Sequence, residues 1–323
     1  MPPLHPLRFN PLFKQYLWGG RRLGTVLGKP IGAGEDYAES WEISDHASGQ
    51  SVVAAGPWQG TSLQTLVAEH GAELLGRHHP QDRFPLLFKF LDCQRVLSVQ
   101  VHPNDEQGAK LTPPDLGKTE AWIVLDVQPG ALVYAGLKRG FDQDALAREV
   151  SRGTTELCLH QFTPQAGDCI FIPARTVHAL GAGLLVAEIQ QASDTTYRLF
   201  DWNRVGPDGK PRALHVAESL ATIDYSAGPV SPQIPQPTSR PHVEQIVACD
   251  KFIVDRWKFS GSESLAADDR CHLLVVLAGE VRVENDPTGK PLVGGETMLV
   301  PAACLPVKLS AANECTLLEI CLP

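Results

Sequence analysis

The sequence predicts a mainly-β protein, and three observations carry that reading. Short runs rich in valine and leucine, cut by Gly and Pro, recur along nearly the whole chain. Segments with a helical pattern are few. A single proline-rich stretch, Ser226–Pro241, holds five prolines and divides a longer first part from a shorter second part. Such a stretch runs extended and makes neither helix nor central strand. With 323 residues, 43% of them hydrophobic, the chain can bury a large core, and two domains are the natural division.

In chain order, the first helical pattern spans Thr61 to Leu75. Val-Leu-Ser-Val-Gln-Val-His-Pro (Val96–Pro103) then alternates Leu97, Val99 and Val101 with Ser98, Gln100 and His102, the two-residue period of a strand. A hydroxyl, an amide and an imidazole therefore share one face. On so apolar a strand, that face suits a pocket wall better than open water. Asn104 and Asp105 are good cap residues after Pro103, so Asn104–Lys110 adds a turn of helix. Further helical patterns cover Asp142–Ser151 and roughly His215–Thr222.

Composition excludes several classes. No run of eighteen apolar residues exists, so no membrane span is expected. The formal charge is −9 and no basic stripe is visible, which argues against a nucleic-acid partner. The eight cysteines lie mostly in apolar strand-like runs without a CxxC pair, the pattern of buried thiols in a reducing compartment. The first residues lack the basic and then apolar regions of a signal peptide, so a cytoplasmic protein is expected.

An internal repeat supplies a further ligand candidate. Gly167-Asp-Cys-Ile-Phe-Ile-Pro173-Ala-Arg-Thr-Val-His178 reads Gly, five residues, Pro, four residues, His. Gly295 to Pro301 repeats the frame, with Pro306 where His178 stood. The pattern resembles the second motif of the cupin superfamily, double-sheet jelly rolls that often hold a metal. Arg175 stands where that motif usually has glycine. The resemblance implies two cupin-type jelly rolls: a metal-binding one in residues 1–225, the linker 226–241, and a degenerate one in 242–323 without metal ligands.

Gln100 and His102 from the strand, His178 from the frame, and Glu120 opening the apolar run Ala121–Val127 make a candidate ligand set. Two nitrogens and two oxygens suit zinc first, with manganese, iron or cobalt behind it. The other nine histidines are read as structural or solvated.

Five motifs occur together in this order: Tyr37-Ala-Glu-Ser-Trp-Glu-Ile-Ser44, Phe88-Lys-Phe-Leu-Asp92, Leu97-Ser-Val-Gln-Val-His-Pro103, Gly117-Lys-Thr-Glu-Ala-Trp122 and Ala192-Ser-Asp-Thr-Thr-Tyr-Arg198. With Phe9–Gly20 they resemble type I mannose-6-phosphate isomerase, over nearly the whole chain and in its short bacterial form. The resemblance implies one zinc held by Gln100, His102, Glu120 and His178. It also implies an active-site arginine at Arg198, pocket residues at Lys89, Ser98 and Lys118, and a sugar phosphate as substrate. Longer members carry a further phosphate-binding lysine after the arginine; Arg204 is the only substitute suggested by position.

The implied reaction interconverts mannose 6-phosphate and fructose 6-phosphate through an enediol or enediolate. Lys89 and Ser98 are expected as phosphate ligands, and Arg198 as a fixed cation facing developing oxygen charge. Two residues compete for the carbon base: Lys118, a desolvated lysine beside a cation, and Glu188, on the strand-like run Leu184–Gln190. Asp194 reads as a turn residue. Two rival functions remain: another metal-dependent cupin enzyme, such as a phosphoglucose isomerase or dioxygenase, and a non-catalytic sugar-phosphate-binding paralogue. Oligomeric state, monomer or dimer, is left open.

Overall fold

A computed structural model describes residues 2–205 and 209–323. It is mainly β, and the four expected helical segments appear as Leu63–Leu75, Asp105–Gly108, Gln143–Arg152 and Val216–Thr222. Local chemistry sets their starts. Ser62 accepts from the backbone N–H of Thr65, and Asp142 from that of Ala145. Asn104 and Gln107 form a reciprocal capping box. An extra short helix, Arg22–Thr25, has no side-chain cap to announce it.

Among the described residues, a six-stranded sheet runs in the order Leu12–Gly20, Tyr37–Ile43, Leu86–Cys93, Leu184–Gln191, Glu120–Val127, Cys169–Ile172. A five-stranded sheet runs Tyr197–Phe200, Val99–Val101, His178–Leu180, Val133–Leu137, Leu159–Phe162. The two meet through one apolar cluster, with Leu91, Trp122, Val124, Ile170 and Val186 from the first facing Val133, Ala135 and Leu180 from the second. The intervening positions of the six-stranded sheet, including Phe88, Phe90, Ala121, Ile123, Ala187 and Ile189, point the other way into a larger core. Both faces of these central strands are therefore buried, which explains their near-continuous apolar sequence.

That larger core is shared with the C-terminal strands, which contribute Val254, Phe252, Leu273, Val275, Leu318 and Ile320. Their sheet runs Gln236–Pro237, Val243–Ala248, Ile253–Leu265, Val307–Cys321, His272–Ala278, Thr297–Val300, with Glu280–Val283 and Leu292–Val293 beside it. The N-terminal segment crosses over, exchanging two backbone hydrogen bonds between Leu7 and Leu299. The proline-rich segment contains no helix and no central strand. Val230 N–H donates to Ala135, Gln233 N–H to Cys169, and Gln236–Pro237 pairs only at the sheet edge.

All eight cysteines are free thiols and six are buried; burial pushes Cys169 up to about 12. Among the described residues no helix is long and apolar enough to cross a membrane.

Candidate metal centre and active site

The register of the two facing sheets brings the candidate residues together. Across the five-stranded sheet, Arg198, Gln100 and His178 are successive cross-strand partners. Across the six-stranded sheet, Trp41, Lys89, Glu188 and Trp122 form a second row. Glu120 begins its strand two residues before Trp122, so it shares the same inward face.

Val99 and Val101 turn away into a cluster with Val177, Ala179, Leu199 and Phe200. Ser98 and Gln100 line a cavity of about 340 Å³. Leu97, expected on the apolar side with the valines, lines the same cavity. The regular strand begins only at Val99, so the alternation does not extend back to Leu97.

His102, Glu120 and His178 are fully or almost fully buried, and one donor atom from each lies within 4.8 Å of the others. His178 Nε2 is 3.2 Å from Glu120 Oε1, His102 Nε2 is 3.7 Å from Glu120 Oε2, and the Gln100 amide nitrogen is 3.3 Å from His178 Nε2. Four donors about 2.0–2.1 Å from a tetrahedral zinc stand about 3.3 Å apart, so this spacing fits such an ion.

The ring orientations fit as well. His102 Nδ1 lies 2.9 Å from the Thr195 carbonyl and His178 Nδ1 lies 2.8 Å from that of Thr176. Those acceptors fix the proton on Nδ1 and leave the Nε2 lone pairs facing the centre. Glu120 Oε1 is buried without a hydrogen-bond partner, and the Gln100 amide needs only an O/N exchange to present its oxygen.

Electrostatics keep the imidazoles neutral. Burial, then the Lys118 ammonium, lowers His178 to about 3 and His102 well below the ordinary value. Burial raises Glu120 to about 7 against the pull of Lys118. Lys118 Nζ stands 2.6 Å from Glu120 Oε2, 3.1 Å from His102 Nε2 and 3.6 Å from Glu188 Oε1. Glu188 also takes the Trp122 indole N–H at 3.2 Å and lies 3.2 Å from Lys89. Burial opposes its charge, but Lys89 and Lys118 prevail and hold it below the usual carboxylate range.

Lys89 meets two carboxylates, Glu188 and, at 3.6 Å, Glu39. Burial disfavours its charge, yet these neighbours hold it well above the ordinary lysine value.

The cavity also contains residues that sequence reading did not assign to it. Tyr16, Glu39, Thr196 and Arg212 line it, and so does Asp194, expected as a turn residue. Trp18 is another wall residue. Arg204 is absent from the lining; its guanidinium is turned onto Asp201 and the Val96 carbonyl. Arg212 reaches the cavity instead and is anchored by both carboxylate oxygens of Asp201, sharing Oδ1 with Arg204. Arg198 donates to the Ala213 carbonyl, and its Nε is buried without a partner.

The loop Pro103–Thr119 carries Lys118 into place. Asp115 accepts from Ser193 Oγ at 2.8 Å and Thr195 Oγ1 at 2.9 Å, tying the loop to the segment that orients His102. Gly117 packs against Asn104 and Asp105 so closely that a Cβ there would lie 2.5 Å from the Asp105 nitrogen. Arg175, in place of the motif's glycine, adopts φ of 73°, the left-handed conformation that glycine takes without strain. It is held there by a backbone bond to the His102 carbonyl and a side-chain bond to that of Thr222.

These features define a buried two-histidine, one-carboxylate cluster beside a charged cavity, in contact with its lining residues Gln100 and Lys118. The family model "Phosphomannose isomerase type I, catalytic domain" matches residues 7–119. The chain is 38% identical over 318 residues to mannose-6-phosphate isomerase ManA of Bacillus subtilis (strain 168), covering 96% of this chain and 97% of that one. It is 34% identical to a mannose-6-phosphate isomerase of Streptococcus mutans, covering 96% and 99%. The crystal structure of mannose 6-phosphate isomerase from Bacillus subtilis superposes with a TM-score of 0.89 at 31% identity, covering 98% and 99% of the two chains. The chain belongs to the type I phosphomannose isomerase family.

Proposed function

We propose that this enzyme interconverts mannose 6-phosphate and fructose 6-phosphate, with one zinc held by Gln100, His102, Glu120 and His178. The observation that carries the reading is the donor cluster directly behind Gln100 and Lys118, which line a cavity together with a second lysine, carboxylates and two arginines. A zinc there supplies Lewis acidity that draws charge from the substrate's oxygens.

The reaction moves one proton between C2 and C1 and another between the two oxygens, through an enediol or enediolate. Lys118 is the better candidate to carry the carbon proton, taking it as the free amine and returning it from the ammonium, because its nitrogen stands beside Glu120 Oε2 and His102 Nε2. Glu188 is held as a carboxylate by two ammonium groups and an indole N–H, which makes it a weak base and a good positioning group for both lysines. Arg198 faces the cavity with an unpartnered nitrogen and offers a permanent cation to developing oxygen charge.

Ser98 supplies a hydroxyl donor for the phosphate, and Lys89 a charge already shared with Glu39 and Glu188. That sharing leaves room for Arg212 as an additional phosphate contact. Residues 1–225 form the catalytic part under this reading, 226–241 the linker, and 242–323 a second jelly roll without metal ligands.

The test is turnover of mannose 6-phosphate, detected as fructose 6-phosphate, before chelation, after it, and after zinc is restored. Loss and recovery of turnover are expected. No turnover by zinc-loaded protein would sink the isomerase reading and favour a binding paralogue.

A further inference from the structure

The C-terminal sheet repeats the strand order of the six-stranded sheet, and its register repeats the placement of polar residues. In the first sheet, Glu120 opens its strand opposite Ile172, the residue before Pro173. In the second, His272 opens its strand opposite Val300, the residue before Pro301. Two residues on, Trp122 pairs with Glu188, and Glu188 with Lys89. Likewise Leu274 pairs with Glu319, and Glu319 with Asp255. His272, Glu319 and Asp255 thus occupy the positions of Glu120, Glu188 and Lys89. Together with Trp257 they line a separate cavity of about 200 Å³.

The chemistry of that cavity narrows its occupant. His272 has Nε2 at 2.9 Å from Asp268 and Nδ1 at 2.7 Å from Glu319, so neither ring nitrogen is left for a metal. Among the described residues only the His102 cluster has metal-ligand spacing. Three carboxylates, Asp255, Asp268 and Glu319, disfavour an anion, while Arg240, Arg270 and His272 balance their charge. Apart from His272 Nδ1, which Glu319 already meets at 2.7 Å, what remains unpaired among the described residues of this cavity is one buried acceptor and one buried donor: Asp255 Oδ1 and the indole nitrogen of Trp257, a residue only 1% exposed.

A hydroxyl is the group that donates to the first and accepts from the second. The volume lies below the ~300 Å³ at which drug-sized pockets begin, which suits a single ring or less.

We propose that the C-terminal sheet holds a second ligand site, for a small neutral polyhydroxylated molecule such as an unphosphorylated sugar ring. It is independent of the isomerase reading. The test is calorimetric titration of zinc-loaded protein with D-mannose. Wild type and Arg198→Ala, altered only in the first cavity, should bind alike. Trp257→Phe, which keeps a ring but removes the donor, and Asp255→Ala, which removes the acceptor, should each weaken binding about tenfold or more, the effect of losing one buried hydrogen bond.

Turnover of both variants at saturating mannose 6-phosphate should stay at the wild-type level. Either variant decides the matter if the other does not fold. Absence of saturable binding to wild type at tens of millimolar sugar would overturn the proposal. So would binding lost in Arg198→Ala but kept in Trp257→Phe.

Discussion

Arg212 meets the cavity with its guanidinium already fixed by Asp201, Nε to Oδ2 at 2.8 Å and Nη2 to Oδ1 at 2.5 Å. A cation held this way loses little side-chain freedom when it contacts an anion. Arg212→Ala should therefore raise KM for mannose 6-phosphate by about 10- to 100-fold with little change in kcat, the cost of a charged hydrogen bond lost equally from ground and transition states. Steady-state kinetics check this; an unchanged KM would remove Arg212 from the phosphate contacts.

Lys118→Ala should instead lower kcat by about 10²- to 10⁴-fold, the usual share of a proton-transfer group. Zinc content, read by atomic absorption, should hold. Glu188→Gln should cost less in kcat, because that carboxylate positions the lysines.

The same scale shows what the chain reveals by itself. Gln100 and His102 are legible because a strand's period puts them on one face, and His178 because the Gly-Pro frame ends on it. Glu120 is legible mainly through family resemblance, since a long loop separates it from its partners. Arg212 left no local signal, and Glu39 lies in the Tyr37–Ser44 motif without a role read from it: the fold brings both to the cavity from loop and strand positions whose spacing to the candidate ligands is arbitrary. Arg204 misleads for the same reason, as the turn after Asp201 directs it to the Val96 carbonyl.

At the scale of elements, the two rows of candidate site residues depend on sheet register and on one loop. The alternation in Leu86–Cys93, Glu120–Val127 and Leu184–Gln191 is hidden in the sequence, because both faces are largely buried and apolar residues fill most positions of both. Helix boundaries were easier to read, since Ser62, Asn104 and Asp142 are cap residues with their own side-chain chemistry.

Asp115 couples loop to site by holding the Ser193 and Thr195 hydroxyls, and the Thr195 carbonyl orients His102. Asp115→Ala should weaken zinc binding about 10- to 100-fold, the range found when groups that orient ligands are removed. Competition with a chelator of known affinity measures it, and unaltered affinity would separate the loop from the metal centre.

Across the whole molecule, the two parts on either side of Ser226–Pro241 are packed through one core, with Phe252 wholly buried in it beside Phe171. The proline-rich segment marks a division of chain but hides this contact, because the interface residues are ordinary strand positions on each side. Phe252→Ala should cost about 3–5 kcal/mol. Urea unfolding should remain a single transition by fluorescence and circular dichroism alike; two separated transitions would mean that the parts unfold independently.

His272 adds a pH dependence to that stability. Burial disfavours its charge, but Glu319 and Asp268 raise it above the ordinary imidazole value of 6.5. Protonation therefore favours the fold, with the contribution complete below the unfolded value and lost as pH rises through the folded one. The stability gap between wild type and His272→Gln should shrink as pH rises above 6.5. A gap that widens would reverse the sign of the ion pairs' contribution.

Under the proposed function, one zinc held by Gln100, His102, Glu120 and His178 makes this chain an isomerase. Titrating zinc into fully chelated protein, while following both bound metal and mannose 6-phosphate turnover, tests it most directly. Turnover should rise in proportion to bound zinc and level off at a single ion per chain, and Gln100→Ala combined with His102→Ala should abolish both. Full turnover without metal, or a stoichiometrically zinc-loaded protein with none, would contradict the account.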